Sequence, residues 1–159
     1  MWRAVMGVFV LCAGPVGAAE PSTAQVFQQF GLIGTWAVNC DAMPSPNNPH
    51  VTDTIQNGAI IERQDLGPDT EVNVYRILAA TRLSGTRLSV EAIFRPGGEG
   101  EERQALIWSV HNGTRRTLRN KPEDEPLRVK NGVAINFGVK TPVLRKCSAD
   151  SLPEKARAE

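Results

Sequence analysis

Two histidines are the only imidazole groups in the chain, and neither is placed to bind a metal. His50 follows Pro49 in a proline-rich stretch, and His111 ends a strand candidate just before Asn112. A protein metal site gathers several His, Cys or carboxylate ligands at short spacing, for example at alternate positions of one strand. Neither histidine has such neighbours. We therefore expect no metal and no cofactor, and histidines that are solvated or hydrogen-bonded locally.

Nucleophilic and acid–base chemistry also lacks its usual signatures. The chain has no Gly-x-Ser-x-Gly turn to expose a serine nucleophile, and Ser109 falls on the polar side of its strand. A glycosidase would need two converging carboxylates at a set separation. The carboxylate pairs here all lie near predicted turns, where we expect them to be solvated: Glu62/Asp65, Asp69/Glu71 and Glu101/Glu102. We expect a protein that is not an enzyme and has no catalytic residues.

Arginines are the strongest candidates for a binding role. The densest charged run is Arg115, Arg116, Arg119 and Lys121, followed by Glu123, Asp124 and Glu125. It is typical of a salt-bridged solvent-exposed face, with an anion or acidic-partner site as the alternative. Arg116 shares a strand face with Leu118, and Arg76 shares one with Val74 and Leu78, so both are predicted to point inward. A buried arginine must be paired or bind an anion, so two in one lumen predict a ligand with a carboxylate.

The N-terminal residues predict export. Arg3, an apolar stretch and the small residues 17–19 fit a signal peptide cleaved after Ala18 or Ala19, and the apolar run is too short to span a bilayer. We therefore divide the chain into a signal peptide (1–19), one domain (20–147) and a polar tail (148–159). The mature protein is expected in the periplasm or outside the cell, with no membrane span.

The two cysteines of the predicted domain, Cys40 and Cys147, lie near its two ends. In an oxidising compartment two cysteines allow one intramolecular pairing, and neither belongs to a Cys-x-x-Cys motif. We predict a structural disulfide.

Overall charge and composition exclude further classes. The chain has 18 basic and 17 acidic residues and a net charge of +1, which disfavours a nucleic-acid binder. Its 41% hydrophobic content is ordinary for a globular protein, and 159 residues suit a single domain.

Apolar periodicity predicts an all-β fold that opens with a helix. Residues 21–30 form the helix candidate, with Ser22 and Gln25 as a capping box. The strand candidates are 33–40, 51–56, 59–65, 71–83, 86–95, 102–110, 114–120, 127–130, 133–137 and 143–147. Asn57-Gly58, Asn112-Gly113 and Asn131-Gly132 are two-residue hairpin signals. Such a meander removes its edges by closing, which predicts a single up-and-down antiparallel barrel of about eight strands; a two-sheet sandwich is the alternative.

A loop at residues 41–50 is a candidate interaction surface, since prolines pre-order a loop and lower the cost of binding. Its candidate contact residues are Pro44, Pro46, Asn47, Asn48 and Pro49.

The segment Gly34-Thr35-Trp36, just after the predicted helix, resembles the Gly-x-Trp opening of lipocalins and related calycin barrels. The resemblance implies that an arginine late in the chain packs over this tryptophan, and Arg145 stands in the matching place. Trp36 and Arg145 would then close one barrel end. The chain also looks similar to secreted bacterial proteins with a Gly-Thr-Trp opening followed by a cysteine, and in shape to secreted metalloprotease-inhibitor barrels.

Two functions remain open. The first is an extracytoplasmic, monomeric barrel that binds a small or amphipathic ligand through inward side chains. Those candidates are Arg76, Val90, Phe94, Leu106, Trp108, Arg116, Ile135 and Phe137, although the apolar ones could simply fill so small a core. The second is a protein-interaction or protease-inhibitor-like module that binds an extracytoplasmic protein through its loops. A lumen of about 300 Å³ or more with an inward arginine favours the first, and a filled core with a protruding proline loop favours the second.

Overall fold

A computed structural model describes residues 19–148. The predicted signal peptide, apart from Ala19, and the predicted polar tail, apart from Ser148, lie outside the described residues.

The predicted helix and its capping box are confirmed. Helix α1 spans Thr23–Gln29. The Ser22 side chain accepts a hydrogen bond from the Gln25 backbone N–H at 3.2 Å, and the Gln25 side chain accepts one from the Ser22 N–H at 2.8 Å. Val26 and Phe27 face the core, so α1 covers one end of the domain.

Eleven strands follow the helix, and eight of them close into one antiparallel barrel. The strands are β1 Gly34–Ala37, β2 His50–Gln56, β3 Ala59–Asp65, β4 Asn73–Ser84, β5 Arg87–Phe94, β6 Glu102–His111, β7 Thr114–Pro122, β8 Val129–Lys130, β9 Val133–Ala134, β10 Val139–Lys140 and β11 Leu144–Lys146. Strands β1–β7 each pair with the next in the chain, and β11 pairs with both β7 and β1 to close the ring. The predicted all-β up-and-down barrel is confirmed, and the sandwich alternative is wrong.

Local turn chemistry sets the hairpins. Asn57 and Gly58 have φ of 49° and 80°, the positive values that a two-residue turn between twisted strands requires. The two other Asn-Gly pairs have the same positive-φ conformation. All three predicted hairpin turns are confirmed.

The barrel core is built from the predicted alternation, with three interruptions. Every second residue from Leu88 to Ala92 and from Leu106 to Val110 is buried. Register shifts skip Leu78 and Leu83 in β4 and Leu118 in β7. A bulge of one residue moves the alternation by one position, so side chains beyond it change face.

The predicted disulfide is confirmed. Cys40 follows β1 and Cys147 follows β11, and their Cα atoms lie 5.5 Å apart across a sequence separation of 107. The Cys147 backbone N–H also donates to the Thr35 carbonyl at 2.9 Å. The pair ties the last strand of the barrel to the first.

Strands β8–β10 stand apart from the eight-stranded ring. They form a small antiparallel meander, residues 129–140, which we call the flap; it pairs with the barrel through Asn120 and Val129. The predicted strand 133–137 is shorter than expected, because Ile135 and Phe137 lie in the turn between β9 and β10. Their predicted place in the lumen is wrong: the Phe137 side chain is 80% exposed.

Candidate functional site

A charged cluster occupies the interior of the barrel. Asp53 and Glu62 are direct cross-strand partners on β2 and β3, and both are buried. Arg115, on β7, reaches between them: its Nη1 donates to Asp53 Oδ2 at 2.7 Å, and its Nη2 donates to Glu62 Oε2. The predicted solvation of Glu62 is therefore wrong. Like charges placed directly opposite repel, so the guanidinium is what allows both carboxylates to share one face.

An aromatic face completes the surroundings of Arg115. Its Cζ lies 3.6 Å from the ring centroid of Trp108 on β6. The Trp108 ring also packs edge-on against Phe27 of α1, with the ring centroids 5.9 Å apart. A guanidinium that stacks on an aromatic ring while donating to two carboxylates has most of its binding capacity satisfied inside the protein.

The electrostatics of this cluster are set by burial. Burial raises the pKa of Asp53 well above its usual value; Arg115 opposes the rise, and Glu62 adds to it. For Arg115 burial disfavours the charge, but Glu62 and Asp53 raise its pKa above its usual value. Asp53 Oδ1 is buried and has no hydrogen-bond partner among residues 19–148. Two carboxylates and one guanidinium would place an excess negative charge in the interior, and the upward shift of the Asp53 pKa favours the neutral carboxyl there.

A cavity of about 200 Å³ lies beside this cluster. Its apolar wall consists of Pro49, Val51, Ile77, Ala92, Leu106, Trp108, Val129, Pro142 and Leu144. Its polar wall consists of Glu62, Gln64, Tyr75, Gln104, Arg115, Arg116, Thr117, Asn120 and Thr141. Burial raises the pKa of Tyr75 to about 12, with Glu62 adding to the rise, so this phenol is neutral. The cavity is thus partly open and mixed in polarity, and its wall includes residues from both faces of β7.

Two polar atoms of the cavity wall have no partner within the described part of the chain. They are the indole Nε1 of Trp108, a donor, and the side-chain Oδ1 of Asn120, an acceptor. The other end of the Asn120 amide donates to Gln104 Oε1 at 3.0 Å, which fixes its orientation. Buried polar groups are usually satisfied, so this donor and this acceptor are candidates for ligand contacts.

Arg116 borders the cavity from beneath the flap. Its Nε donates to Thr141 Oγ1 at 3.0 Å, and its Nη2 donates to the Gly132 carbonyl at 2.6 Å. Gly132 leaves room for this contact, since a Cβ there would lie 2.7 Å from Nη2. No carboxylate among residues 19–148 pairs with the half-buried Arg116 guanidinium.

The residues predicted to face a ligand divide between lumen and surface. Trp108 and Arg116 line the cavity. Arg115, not Arg116, occupies the barrel interior, so Arg116 lies on the opposite face of β7. Arg76 is exposed, because Tyr75 and Ile77 take the inward positions of β4. Phe94 is half-buried against Tyr75, with centroids 5.0 Å apart, and it is not part of the cavity wall.

Trp36 is buried at the start of the barrel, and the cation beside it is not the predicted arginine. The indole Nε1 donates to the Leu32 carbonyl at 2.8 Å, and Lys146 Nζ lies 4.8 Å from the ring centroid. Arg145 is exposed, so its predicted contact with Trp36 is wrong. Trp36 and Lys146 are direct cross-strand partners and therefore share a face, whereas Arg145 points the other way.

The proline-rich loop is held against the barrel. Asn48 Nδ2 donates to the carbonyls of Asn39, Ala42 and Met43 at 3.1, 3.2 and 3.1 Å. Pro44, Asn48 and Pro49 are buried, while Pro46 and Asn47 are exposed. The exposed residues of the loop are Asp41, Met43, Pro46 and Asn47.

His50 also belongs to this loop packing. Its side chain is buried, and its Nε2 lies 2.9 Å from the Ala42 carbonyl. Within residues 19–148, no group of three or more His, Cys, Asp or Glu side chains could hold a metal ion.

The sequence reasoning missed Asp53, Glu62 and Arg115, the central cluster of the site. A usable signal was present. Counting outward from Asn57-Gly58 pairs Asp53 with Glu62, and counting outward from Asn112-Gly113 pairs Arg115 with the inward Val110.

No known protein family, curated protein or solved structure matches the chain. Helix α1 is too short to cross a membrane, and no other helix within residues 19–148 is long and apolar enough to do so.

Proposed function

We propose that this protein is an extracytoplasmic binding module whose barrel cavity takes a small amphipathic molecule carrying a carboxylate. The observation that carries the proposal is Arg116, a half-buried guanidinium in the cavity wall whose hydrogen bonds go to a hydroxyl and a carbonyl. No carboxylate of residues 19–148 pairs with this cation, so its setting favours an anion, and the planar guanidinium matches a carboxylate geometrically.

The neighbouring wall suits the rest of such a ligand. The Trp108 Nε1–H is free to donate to a ligand oxygen, and Asn120 Oδ1 is free to accept from a ligand hydroxyl or amide. Aliphatic side chains such as Val51, Ile77 and Leu106 supply the apolar part. The wall carries as many polar as apolar residues, which suits a molecule with both kinds of group.

The cavity limits the size of the ligand. Its volume of about 200 Å³ is below the ~300–1,000 Å³ of drug-sized pockets and below the size expected to favour a ligand binder, so the proposal depends on Arg116 and not on cavity size. At ~30 Å³ of liquid volume per water, it matches roughly seven waters. We therefore infer a compact carboxylate, not a long-chain lipid enclosed over its full length.

Binding is favoured over catalysis. Arg115 donates to one oxygen of Asp53 and to one of Glu62 and holds both carboxyl groups in place, so we assign the three residues a structural role beside the cavity. Export to an oxidising compartment is supported by the disulfide and the predicted signal peptide. The closed barrel and the Gly34-Thr35-Trp36 opening support a lipocalin-like binder that works as a monomer. A loop-based interaction module has less support, since Asn48 ties the proline-rich loop down.

Calorimetric titration tests the proposal. The probes are butanoate, hexanoate and benzoate, each paired with its uncharged amide, and the variants are Arg116→Gln and Arg119→Gln. Arg119 is exposed on the outer face of β7 and serves as the matched control. We expect a carboxylate to bind at least about tenfold more tightly than its amide, and Arg116→Gln alone to remove this preference. The proposal is contradicted if the Arg116→Gln variant binds the carboxylates as tightly as the wild type does. It is also contradicted if the wild type binds no carboxylate.

A further inference from the structure

The exposed apolar side chains of this protein are concentrated on one feature. Among residues 19–148, eight large apolar side chains are exposed, and four of them fall within residues 135–143. They are Ile135 at 48%, Phe137 at 80%, Val139 at 56% and Val143 at 46%. Isolated exposed apolar residues are ordinary, but a cluster that includes an almost fully exposed phenylalanine marks an interaction surface.

The same stretch of chain is positively charged. Residues 126–148 contain five basic side chains and no acidic one. Arg128 forms ion pairs with Glu102 and Glu125. The exposed Lys130 and Lys140 form no ion pair with any of residues 19–148. The surface of the flap therefore combines apolar side chains with uncompensated lysines.

The two kinds of side chain are arranged in layers. Lys130 and Lys140 both pair with Val133, so the three residues form one row across the flap on one face. The Ala134–Val139 pair lies one strand position further along, and the turn that carries Ile135 and Phe137 follows it. The apolar turn is thus the tip, and the lysine row stands roughly 3 Å per strand position behind it.

The arrangement of an apolar tip in front of a row of lysines favours a membrane surface over a second copy of the chain. An apolar tip with cations a short distance behind it is complementary to a bilayer whose surface carries anionic headgroups, because apolar groups insert ~5–10 Å while cations meet the phosphates. A second copy of the chain fits poorly: a symmetric contact between two flaps would set Lys130 and Lys140 against their equivalents with no acid in residues 126–148 to compensate.

We propose that the flap docks the barrel onto an anionic phospholipid surface, with Phe137 and Ile135 inserted and Lys130 and Lys140 against the headgroup phosphates. The docking does not depend on the proposed ligand. It does have a consequence for that ligand: Val129 in the flap and Thr141 just after it line the cavity. A docked flap therefore holds the cavity beside the lipid surface.

Vesicle co-sedimentation of the purified full chain tests the docking. The probes are vesicles of phosphatidylcholine alone and vesicles of phosphatidylcholine mixed with phosphatidylglycerol. The variants are Ile135→Ser/Phe137→Ser and Lys130→Gln/Lys140→Gln. The matched control is Leu83→Ser, which removes a 53% exposed leucine in β4, flanked by Arg82 and close to Arg87 across the β4–β5 turn.

We expect binding to the phosphatidylglycerol vesicles only. The double lysine variant should bind them roughly thirtyfold more weakly, and added salt should have a similar effect on the wild type. The double apolar variant should lose binding by at least about tenfold, and Leu83→Ser should match the wild type. Circular dichroism checks that each variant is folded, as substitutions of exposed side chains predict.

Several outcomes overturn the docking proposal. In one outcome the wild type binds neither type of vesicle, and in another it binds both types equally. In a third such outcome, Leu83→Ser loses as much binding as the Ile135→Ser/Phe137→Ser variant does. Sedimentation velocity provides a further one: a dimer that Phe137→Ser dissociates would assign the surface to a second copy of the chain. Calorimetry with soluble carboxylates is independent of these results, so failure of docking and failure of ligand binding are distinguishable.

Discussion

The guanidinium of Arg115 stacks on the indole of Trp108, with Cζ 3.6 Å from the ring centroid. The same guanidinium donates to Asp53 and Glu62, so one side chain joins β7 to β6, β2 and β3 inside the barrel. The arrangement takes two carboxylates out of water and compensates them with one cation. Its stability therefore depends on the guanidinium remaining between the two carboxyl groups.

Removal of Arg115 should destabilise the protein strongly. The Arg115→Met variant keeps most of the side-chain volume but leaves Asp53 and Glu62 facing each other without a cation. We expect the free energy of unfolding, measured by urea denaturation, to fall by about 3–5 kcal/mol.

The control uses another arginine of the same strand, and the recovery experiment uses the residues of the cluster. Arg119→Met, at an exposed position of the same strand, should change the free energy of unfolding by less than about 0.5 kcal/mol. The triple variant Arg115→Met/Asp53→Asn/Glu62→Gln removes every charge and should recover most of the loss. A triple variant no more stable than Arg115→Met would show that the charges are not the cause.

Stability should depend on pH through Asp53. Its pKa in the folded protein is raised by burial well above the value of about 3.9 in an unfolded chain. The folded state therefore binds the proton more tightly, so the contribution is fully present below the unfolded pKa and is lost as the pH rises through the folded-state pKa.

The Asp53→Asn variant provides the comparison for this pH dependence. Its amide cannot ionise, so the decline between those two pKa values should be absent from its curve of unfolding free energy against pH. Urea denaturation of both proteins over a pH series measures the difference. Parallel curves for wild type and variant would contradict a raised pKa at Asp53.

Loss of the Cys40–Cys147 bond should weaken the whole domain. The bond closes a loop with a sequence separation of 107, and such cross-links restrict the unfolded chain. We expect reduction, or the Cys40→Ser/Cys147→Ser variant, to lower the free energy of unfolding by about 2–5 kcal/mol. The double variant is its own control, because reductant should not change its stability. Two titratable thiols in the native oxidised protein would contradict the bond.

Hairpin registers explain which parts of the site could be predicted. A two-residue turn fixes the pairs of its hairpin up to the first bulge, so Asn57-Gly58 sets Asp53 opposite Glu62 and Asn112-Gly113 sets Arg115 opposite Val110. Those positions were available from the sequence.

Other placements were not available from local sequence. The alternation that assigned Arg116 to the interior ran through Leu118, which the bulge in β7 skips, and Leu78 has the same effect beside Arg76. The choice of Lys146 over Arg145 depends on the register between β1 and β11, strands far apart in sequence with no turn to fix it. The cluster of Asp53, Glu62 and Arg115 depends on closure of the barrel, because only the closed barrel brings the inward side chains of β7 near those of β2 and β3.

The loop at residues 41–49 should depend on Asn48. Its buried amide donates to three backbone carbonyls, and its Oδ1 accepts from the Asn39 N–H at 2.8 Å. The Asn48→Ala variant removes the partner of the Met43 carbonyl and of the Asn39 N–H, while the Ala42 carbonyl keeps its contact with His50 and the Asn39 carbonyl keeps the Ala42 N–H. Each group left without a partner costs about 1–3 kcal/mol where water does not reach it. We expect a loss of at least about 1 kcal/mol in the free energy of unfolding and faster hydrogen exchange at the Asn39 amide.

The neighbouring asparagine separates this hydrogen-bonding role from a general effect of asparagine removal. Asn47 is exposed, so Asn47→Ala should leave both the unfolding free energy and the exchange rate at Asn39 near their wild-type values. Because the carbonyls in question belong to the loop backbone, the effect of Asn48→Ala should be largest at residues 39–48 and small in the β5–β6 hairpin. Unchanged exchange at Asn39 in the Asn48→Ala variant, or an equal change in Asn47→Ala, would mean that the prolines alone hold the loop in place.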